Sequence, residues 1–309
     1  MIAGQEVLEL AEREGFQRAH LLNSGKDSFL VCALSSYRRE PDDLSTPQEP
    51  HALIAPFARR NYYREAVKRL KRIAVKIREK TGLAKQDIRI LCNSGTAEKP
   101  LAVASGLGFY GKNSLVISPG LGSQFIIAAM SVELTMTGNY NNAVEPPEGS
   151  GCGDCRACIS ACPVGAIVKP GVLDQKRCLQ YLAARPDNFT LPVKRAWAYR
   201  LYGCRSCQEV CPFNGELSLE TETEMGDLGP SIAISSILSC RAEEIRRLFK
   251  GTQMGLSWVD PAALLRNALI AAGNRRNPGL LPYVEPFTGS SEAVLRESAL
   301  WALKEIREA

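Results

Sequence analysis

Long hydrophobic runs are missing from this sequence. The first residues, MIAGQEVLELAEREGFQ, place acidic side chains early and hold no continuous apolar stretch, so neither a signal peptide nor a membrane-spanning helix is expected. The expectation is a cytoplasmic protein in a reducing compartment. A strong charge excess is also missing: the net charge of +5 is compatible with a nucleic-acid partner without demanding one. Histidine is scarce, His20 and His51 being the only two. At 309 residues and 45% hydrophobic content the chain can bury an ordinary core, with room for two or three domains.

Cysteine, by contrast, is abundant. Eleven thiols in a reducing compartment argue against a disulfide framework, and an odd count pairs poorly. Four fall within "SGCGDCRACISACPVGA": Cys152, Cys155, Cys158 and Cys162 follow C-x2-C-x2-C-x3-C with Pro163 directly after. That is the spacing of bacterial ferredoxins, where three thiolates on one loop hold corners of an iron-sulfur cube and the fourth reaches a second cluster. A second set supplies the rest: Cys178, then "GCRSCQEVCPFN" with Cys204, Cys207 and Cys211 before Pro212. The ferredoxin pattern assigns Cys152, Cys155, Cys158 and Cys211 to one [4Fe-4S] cluster and Cys162, Cys178, Cys204 and Cys207 to the other. Structural zinc is the alternative for any C-x2-C pair, but it explains neither the two Cys-Pro endings nor a balanced set of eight. Neither set has the C-x3-C-x2-C order of a radical-generating cluster, so electron relay is the expected role. Cys32, Cys92 and Cys240 stand apart, and Cys32 and Cys240 read as small buried hydrophobes.

Before the cysteines, residues 28–37, 87–94, 114–119 and 123–134 are short apolar runs of strand type. Between the first two, Val67, Leu70, Ala74 and Ile77 recur at spacings of three and four, and Gly82 is a stop signal, which predicts one long amphipathic helix. The region therefore reads as α/β or α+β. Residues 59–80 carry ten basic side chains against Glu65 and Glu79, either a phosphate-following stripe or a solvated outer face. The cluster region, rich in glycine and cysteine, should draw part of its folding energy from metal ligation. After an acidic linker beginning "ELSLETETEMGDLGPS", residues 263–274 and 293–306 repeat an apolar-and-arginine helical pattern, suggesting a fragment of a helical repeat that packs on what precedes it.

Four stretches, "GLGFYGKNSLVI", "CGDCRACISACPVGAI", "LDQKRCLQYL" and "YGCRSCQEVCPFN", taken in this order and spacing, resemble the epoxyqueuosine reductase family, as do "LLRNALIAAGN" and "LRESALWAL" at the end. The resemblance covers residues 50–309. It implies a cobalamin-dependent iron-sulfur reductase, its core related to reductive dehalogenases, that acts on a modified base in the tRNA anticodon loop. The implied organisation is a cobalamin-binding-like α/β domain over 1–149, a ferredoxin-like domain with two [4Fe-4S] clusters over 150–225, and a HEAT-like helical segment over 226–309. By the same resemblance, Gly106, Gly108, Gly111, Lys112 and Asn113 belong to the cofactor-binding segment, small residues letting backbone approach the flat corrin. The family binds cobalamin with no protein histidine under the cobalt, which suits the histidine-poor composition and the lack of a D-x-H-x-x-G motif. Partners implied are tRNA and an external low-potential donor such as flavodoxin or ferredoxin, with no membrane and a monomeric state.

The chain departs from the family at its proton donor. Where the family carries an aspartate in a D-S/T-x-P-V-x-E-R segment, this sequence reads "LCNSGTAEKPLA"; Glu98 and Lys99 match the last pair, while the aspartate falls on Asn93, or on Cys92 without a gap. Asparagine cannot donate a proton at accessible pH, whereas a suitably placed thiol can. The chain is also short at its N-terminus by the family pattern and has Tyr63 where histidine is common. Two alternatives stay open: a related cobalamin reductase with another substrate, and an iron-sulfur electron carrier that no longer binds cobalamin.

Overall fold

The computed structural model describes residues 2–37, 43–93, 98–137, 150–215 and 228–309; most of the acidic linker and part of the segment matching the family's proton-donor loop lie outside these. The first elements are α1 (Gly4–Arg13), the hairpin β1 (Arg18–Ser24) and β2 (Asp27–Ser35), β3 (His51–Ile54), α2 (Tyr62–Thr81), β4 (Ile88–Leu91), α3 (Glu98–Ala104), the short pair β5 (Phe109–Tyr110) and β6 (Val116–Ile117), and β7 (Phe125–Val132).

Four of these strands make an antiparallel sheet in the order β1-β2-β7-β4. The central strand β2 is covered on both faces, which is why its sequence is a continuous apolar run rather than an alternation. Leu30, Cys32 and Leu34 enter a core with α1 and α2, while Val31 and Ala33 face α3 and the β5–β6 turn. Helix α2 runs where the spacing predicts it, capped by the Asn61 side chain, which accepts from the Arg64 N–H at 3.0 Å, and ended by Gly82 at φ 75°. Its buried stripe is Tyr62, Ala66, Leu70, Ile73 and Ile77, so Val67 and Ala74 fall on the stripe's margin. The predicted strands all hold strand structure; β1 and β3 were not signalled, because β1 ("RAHLLNS") is polar at both ends and β3 is only four residues long.

The cysteine-rich segment is built from short pieces: α4 (Ala157–Ser160), β8 (Ile167–Lys169), β9 (Val172–Leu173), α5 (Leu179–Leu182), α6 (Leu191–Trp197), β10 (Arg200–Tyr202), α7 (Ser206–Glu209) and α8 (Pro212–Gly215). It is followed by β11 (Ser231–Ala233), α9 (Ile234–Leu238), α10 (Ala242–Leu248), α11 (Pro261–Arg275), α12 (Leu281–Val284) and α13 (Ala293–Arg307). A second sheet, ordered β10-β3-β11, crosses the sequence segments: β3 lies parallel to β10 and antiparallel to β11. Ala52, Ile54 and Ala58 consequently share a core with residues from 179 to 306. Helix α11 runs through the middle of that core, packed by α13, α9, α10, α6 and β10, and is buried from Pro261 to Gly273. An apolar pattern all around a helix is what such a position requires. Among the described residues no helix is long and apolar enough to cross a membrane.

Candidate redox centre and adjoining cavity

The thiol loops are tight because each cysteine pair straddles a turn. Cys155 N–H bonds the Cys152 carbonyl at 3.0 Å around Gly153 at φ 48°, and α4 then carries Cys158 inward. The structure brings Cys152, Cys155, Cys158 and Cys211 around one cavity of about 40 Å3, walled also by Lys112, Asn113 and Phe213. Cys162, Cys178, Cys204 and Cys207 line a second cavity of about 320 Å3. The eight thiols thus fall into the same two groups that the ferredoxin spacing assigns. Burial raises the Cys158 thiol, and neighbouring Cys152, Cys211 and Cys155 add to the shift; burial pushes the Cys207 thiol up to about 12, with Cys204, Cys178, Cys158 and Cys162 adding. Cys207 thus feels Cys158 of the first group as well as the thiols of its own, which makes the two centres neighbours. Crowded thiolates of this kind need a strongly cationic occupant to ionise together. Among the described residues no three His, Cys, Asp or Glu side chains converge on a single ion.

Both groups are anchored to the first sheet. Asn214, buried in α8, accepts the Ser123 N–H at 2.7 Å, and the Gln208 amide donates to the Ser123 carbonyl at 2.9 Å. Nothing in the sequence pattern marked Ser123, Gln208 or Asn214, since a polar bridge of this kind has no periodicity. Lys112 donates to the carbonyls of Gly153 and, at 3.0 Å, Cys155, so its ammonium clamps the loop of the first thiol group. Asn113 lines both thiol cavities. Gly106, Gly108 and Gly111 line neither. Gly106, at φ 75°, ends α3 with its N–H on the Val103 carbonyl at 2.9 Å, and a side chain at Gly108 would meet the Ile117 carbonyl at 2.4 Å, so the first glycine stops the helix and the second allows the close approach to β6.

The larger cavity extends from the second thiol group to the face of β7, between Tyr63 of α2, Lys99 of α3, Leu115, Phe125, Ile126 and Gln253. Tyr63, Lys99, Leu115, Phe125 and Ile126 also wall a further space of about 220 Å3 that reaches Asn93 and Glu98. The Lys99 ammonium donates to the Ser114 carbonyl at 3.0 Å, and burial lowers its pKa. Asn93 takes φ 52°, a conformation asparagine tolerates, and its N–H donates to the Glu98 carboxylate. Cys92 lines neither space: it packs into the core beneath, near the carbonyls of Tyr63 and Ile127, and burial aided by Glu98 pushes its thiol up to about 12. A thiol so raised is a weak acid near neutrality. Neither histidine lines these spaces: His20 contacts the Ser105 carbonyl at 3.0 Å and His51 the Ser231 hydroxyl at 2.9 Å.

The basic stripe of 59–80 is largely engaged within the chain. Arg59 is buried and donates to the Ile54 carbonyl; Arg69 reaches Glu65 and the Gly15 carbonyl; Arg72 pairs with Glu14 and Lys80 with Glu6. Arg64, Lys68 and Lys71 stay on the exposed face.

A double thiol centre bordering a cavity in a mixed α and β scaffold defines an iron-sulfur oxidoreductase. A family profile described as a 4Fe-4S double cluster binding domain matches residues 151–214. Epoxyqueuosine reductase of Vibrio cholerae is 31% identical over 267 residues, 85% of this chain and 69% of that protein; the Shewanella oneidensis enzyme is 28% identical over 313 residues, 96% and 77%. With the Escherichia coli enzyme the match spans 67% of this chain and 53%, about half, of that relative. The chain belongs to the epoxyqueuosine reductase family. Solved structures agree in fold: epoxyqueuosine reductase from Streptococcus thermophilus superposes with TM-score 0.84 at 20% identity, covering 99% of this chain and 90% of the other. One with an epoxyqueuosine-modified tRNA-Tyr stem loop gives 0.83 at 23%, covering 98% and 89%.

Proposed function

We propose that this protein is a cobalamin-dependent iron-sulfur reductase that converts epoxyqueuosine to queuosine in tRNA. The observation that carries the reading is the larger of the two thiol cavities, lined by the thiol group Cys162, Cys178, Cys204 and Cys207 and also by Tyr63 and Lys99. In this reading Cys152, Cys155, Cys158 and Cys211 hold one [4Fe-4S] cluster and the other four thiols hold the second. Electrons enter at the first, where Cys155 is exposed, and leave from the second, which borders the cavity. The donor is a small low-potential protein such as flavodoxin or ferredoxin, the working state is a monomer, and the setting is the cytoplasm.

The cavity residues suit cobalamin on two counts: much of the lining is apolar, and no histidine stands where it could ligate cobalt. Phe125, Ile126 and Leu115 supply apolar wall for a corrin; Asn113 and Gln253 supply polar contacts. Bound there, the cofactor supplies low-potential cobalt for two-electron reduction. Opening an epoxide to an alkene consumes two electrons and two protons and releases water. The protein's part is to exclude bulk water and to hold a proton at the cavity wall, where Lys99 is the acidic group whose ordinary pKa burial has lowered.

Asn93 in place of the family's aspartate specifically favours a second reading, a cobalamin reductase with a different substrate. Anaerobic purification, loading with cobalamin and removal of free cofactor should leave about eight irons and one cobalt per chain. Incubating that protein with reductant and an epoxyqueuosine-bearing tRNA stem loop should then yield queuosine; full metal content without conversion supports the second reading, and iron without cobalt refutes both.

A further inference from the structure

Asn113 sits in the turn between β5 and β6, and the fold uses only one end of its side chain. The side-chain oxygen accepts the Leu115 N–H at 3.1 Å, which fixes the amide's orientation, because a backbone donor requires the oxygen end. Among the described residues the NH2 end meets no acceptor. The residue is only 4% exposed. The partnerless side-chain atoms sealed from open space are those of Asp27, Gln253 and Trp301, so the Asn113 nitrogen, equally partnerless, opens onto the space its residue lines. That space is the cavity of the first thiol group on one side and the larger cavity on the other. The turn is stiff: the Gly111 N–H donates to the Leu115 carbonyl at 2.8 Å and the Ser114 N–H to the Gly111 carbonyl at 2.9 Å. A side chain at Gly111 would meet Asn113 Oδ1 at 2.8 Å, so the glycine makes room for the amide. Lys112 ties the turn to the carbonyls of Gly153 and Cys155, which holds the amide and the first thiol loop as one body.

We propose that Asn113 donates an N–H···S hydrogen bond to the cluster held by Cys152, Cys155, Cys158 and Cys211, and so raises its reduction potential. The proposal rests on the assignment of those four thiols to one cluster, and it places the donor at the smaller cavity, where a wall residue lies against the occupant. Reduction adds electron density to the sulfurs, so a donor bonded to one of them favours the reduced form. The effect eases electron uptake at the group whose Cys155 is exposed. An amide NH2 carries two hydrogens, so a bond to sulfur leaves the second free for the larger cavity.

The test is an anaerobic potentiometric titration of the iron-loaded, cobalamin-free protein, followed by electron paramagnetic resonance, on the unaltered chain, Asn113→Leu and Asn113→Asp. Loss of one hydrogen bond in Asn113→Leu should lower one midpoint by about 3- to 10-fold in the reduction equilibrium constant, about 28 to 59 mV for one electron. Asn113→Asp keeps an oxygen for the Leu115 N–H but sets a carboxylate in place of the NH2, and should lower the same midpoint at least as far. A merely structural asparagine would leave both midpoints unmoved in Asn113→Asp, since the turn bond survives. Lys112→Met identifies the first cluster, because the lost ammonium must act on that centre, by shifting its midpoint or by costing its iron. Unmoved midpoints in both Asn113 variants overturn the proposal, as does a shift confined to the other cluster. A loss confined to hydroxocobalamin binding also overturns it and leaves the amide to the corrin alone. Fewer than about eight irons in the unaltered chain would refute the cluster assignment itself.

Discussion

At the scale of single residues, the two positions that the family resemblance sets against a proton donor behave differently. Cys92 is packed under the cavity with a thiol pushed up to about 12, so it stays neutral and out of reach of a substrate. Loss of a working general acid costs about 100- to 10,000-fold in rate; Cys92→Ala should cost far less, with the pH profile unchanged between pH 6 and 9, as steady-state assays would show. Asn93 does line the cavity wall beside Lys99 and has a backbone that aspartate also tolerates. Asn93→Asp should raise epoxyqueuosine turnover. The gain is present while the new carboxyl is protonated and fades as pH rises through its pKa, which the neighbouring Glu98 carboxylate raises. A flat pH profile with no gain would show that the site has turned to another acid. The sequence leaves Cys92 and Asn93 as alternatives, and only the fold separates them, because adjacent residues leaving a strand point in different directions.

At the scale of elements, α11 shows what a helix without an exposed face can hold. Arg266 is fully buried there, its guanidinium 3.7 Å from the Phe189 ring centroid and donating to the carbonyls of Asp187, Leu182 and Arg185 and to Asn267. The three carbonyls belong to the end of α5 and the turn after it, the helix that begins beside Cys178. In the sequence an arginine between apolar residues carries no mark of burial; the structure places Arg266 inside. Arg266→Ala strands several acceptors and should cost about 3 kcal/mol or more. Arg266→Lys should restore little, because an ammonium cannot reproduce the planar fork. Anaerobic melting curves of the iron-loaded variants check both. Strand β2, conversely, was legible because a strand covered on both faces writes its burial as an unbroken apolar run, and α2 because one buried stripe recurs every turn. Strand β3 was not, since four residues set no period.

At the scale of the whole molecule, the thiol loops and the two sheets are mechanically joined. Amides of Leu53, Ile54 and Ala55 donate to the carbonyls of Tyr199, Pro230 and Tyr202, so β3 is held by strands on either side of the Cys204–Cys211 loop. Stripping iron should release the loops, since metal ligation supplies part of their folding energy. Hydrogen exchange should then speed up at Leu53 to Ala55 as well as in residues 150–215, while the β2–β7 ladder keeps its protection. Uniform loss across the chain, or loss confined to the cysteine loops, would contradict this coupling. The three segments were drawn from order along the chain, and proximity in sequence says nothing of a strand that pairs with partners far downstream.

The middle position of β3 also has a consequence for synthesis. The β1-β2-β7-β4 sheet uses residues no later than Val132 and can assemble while translation continues. Residues 51–54, in contrast, have no strand to pair with until 200–202 emerge, and are enclosed only after 231–233. All eight ferredoxin-pattern cysteines lie upstream of that last strand, the final one being Cys211. The nascent chain therefore presents its complete set of thiols before the second core closes, which leaves the iron-sulfur assembly machinery a window for loading an open segment.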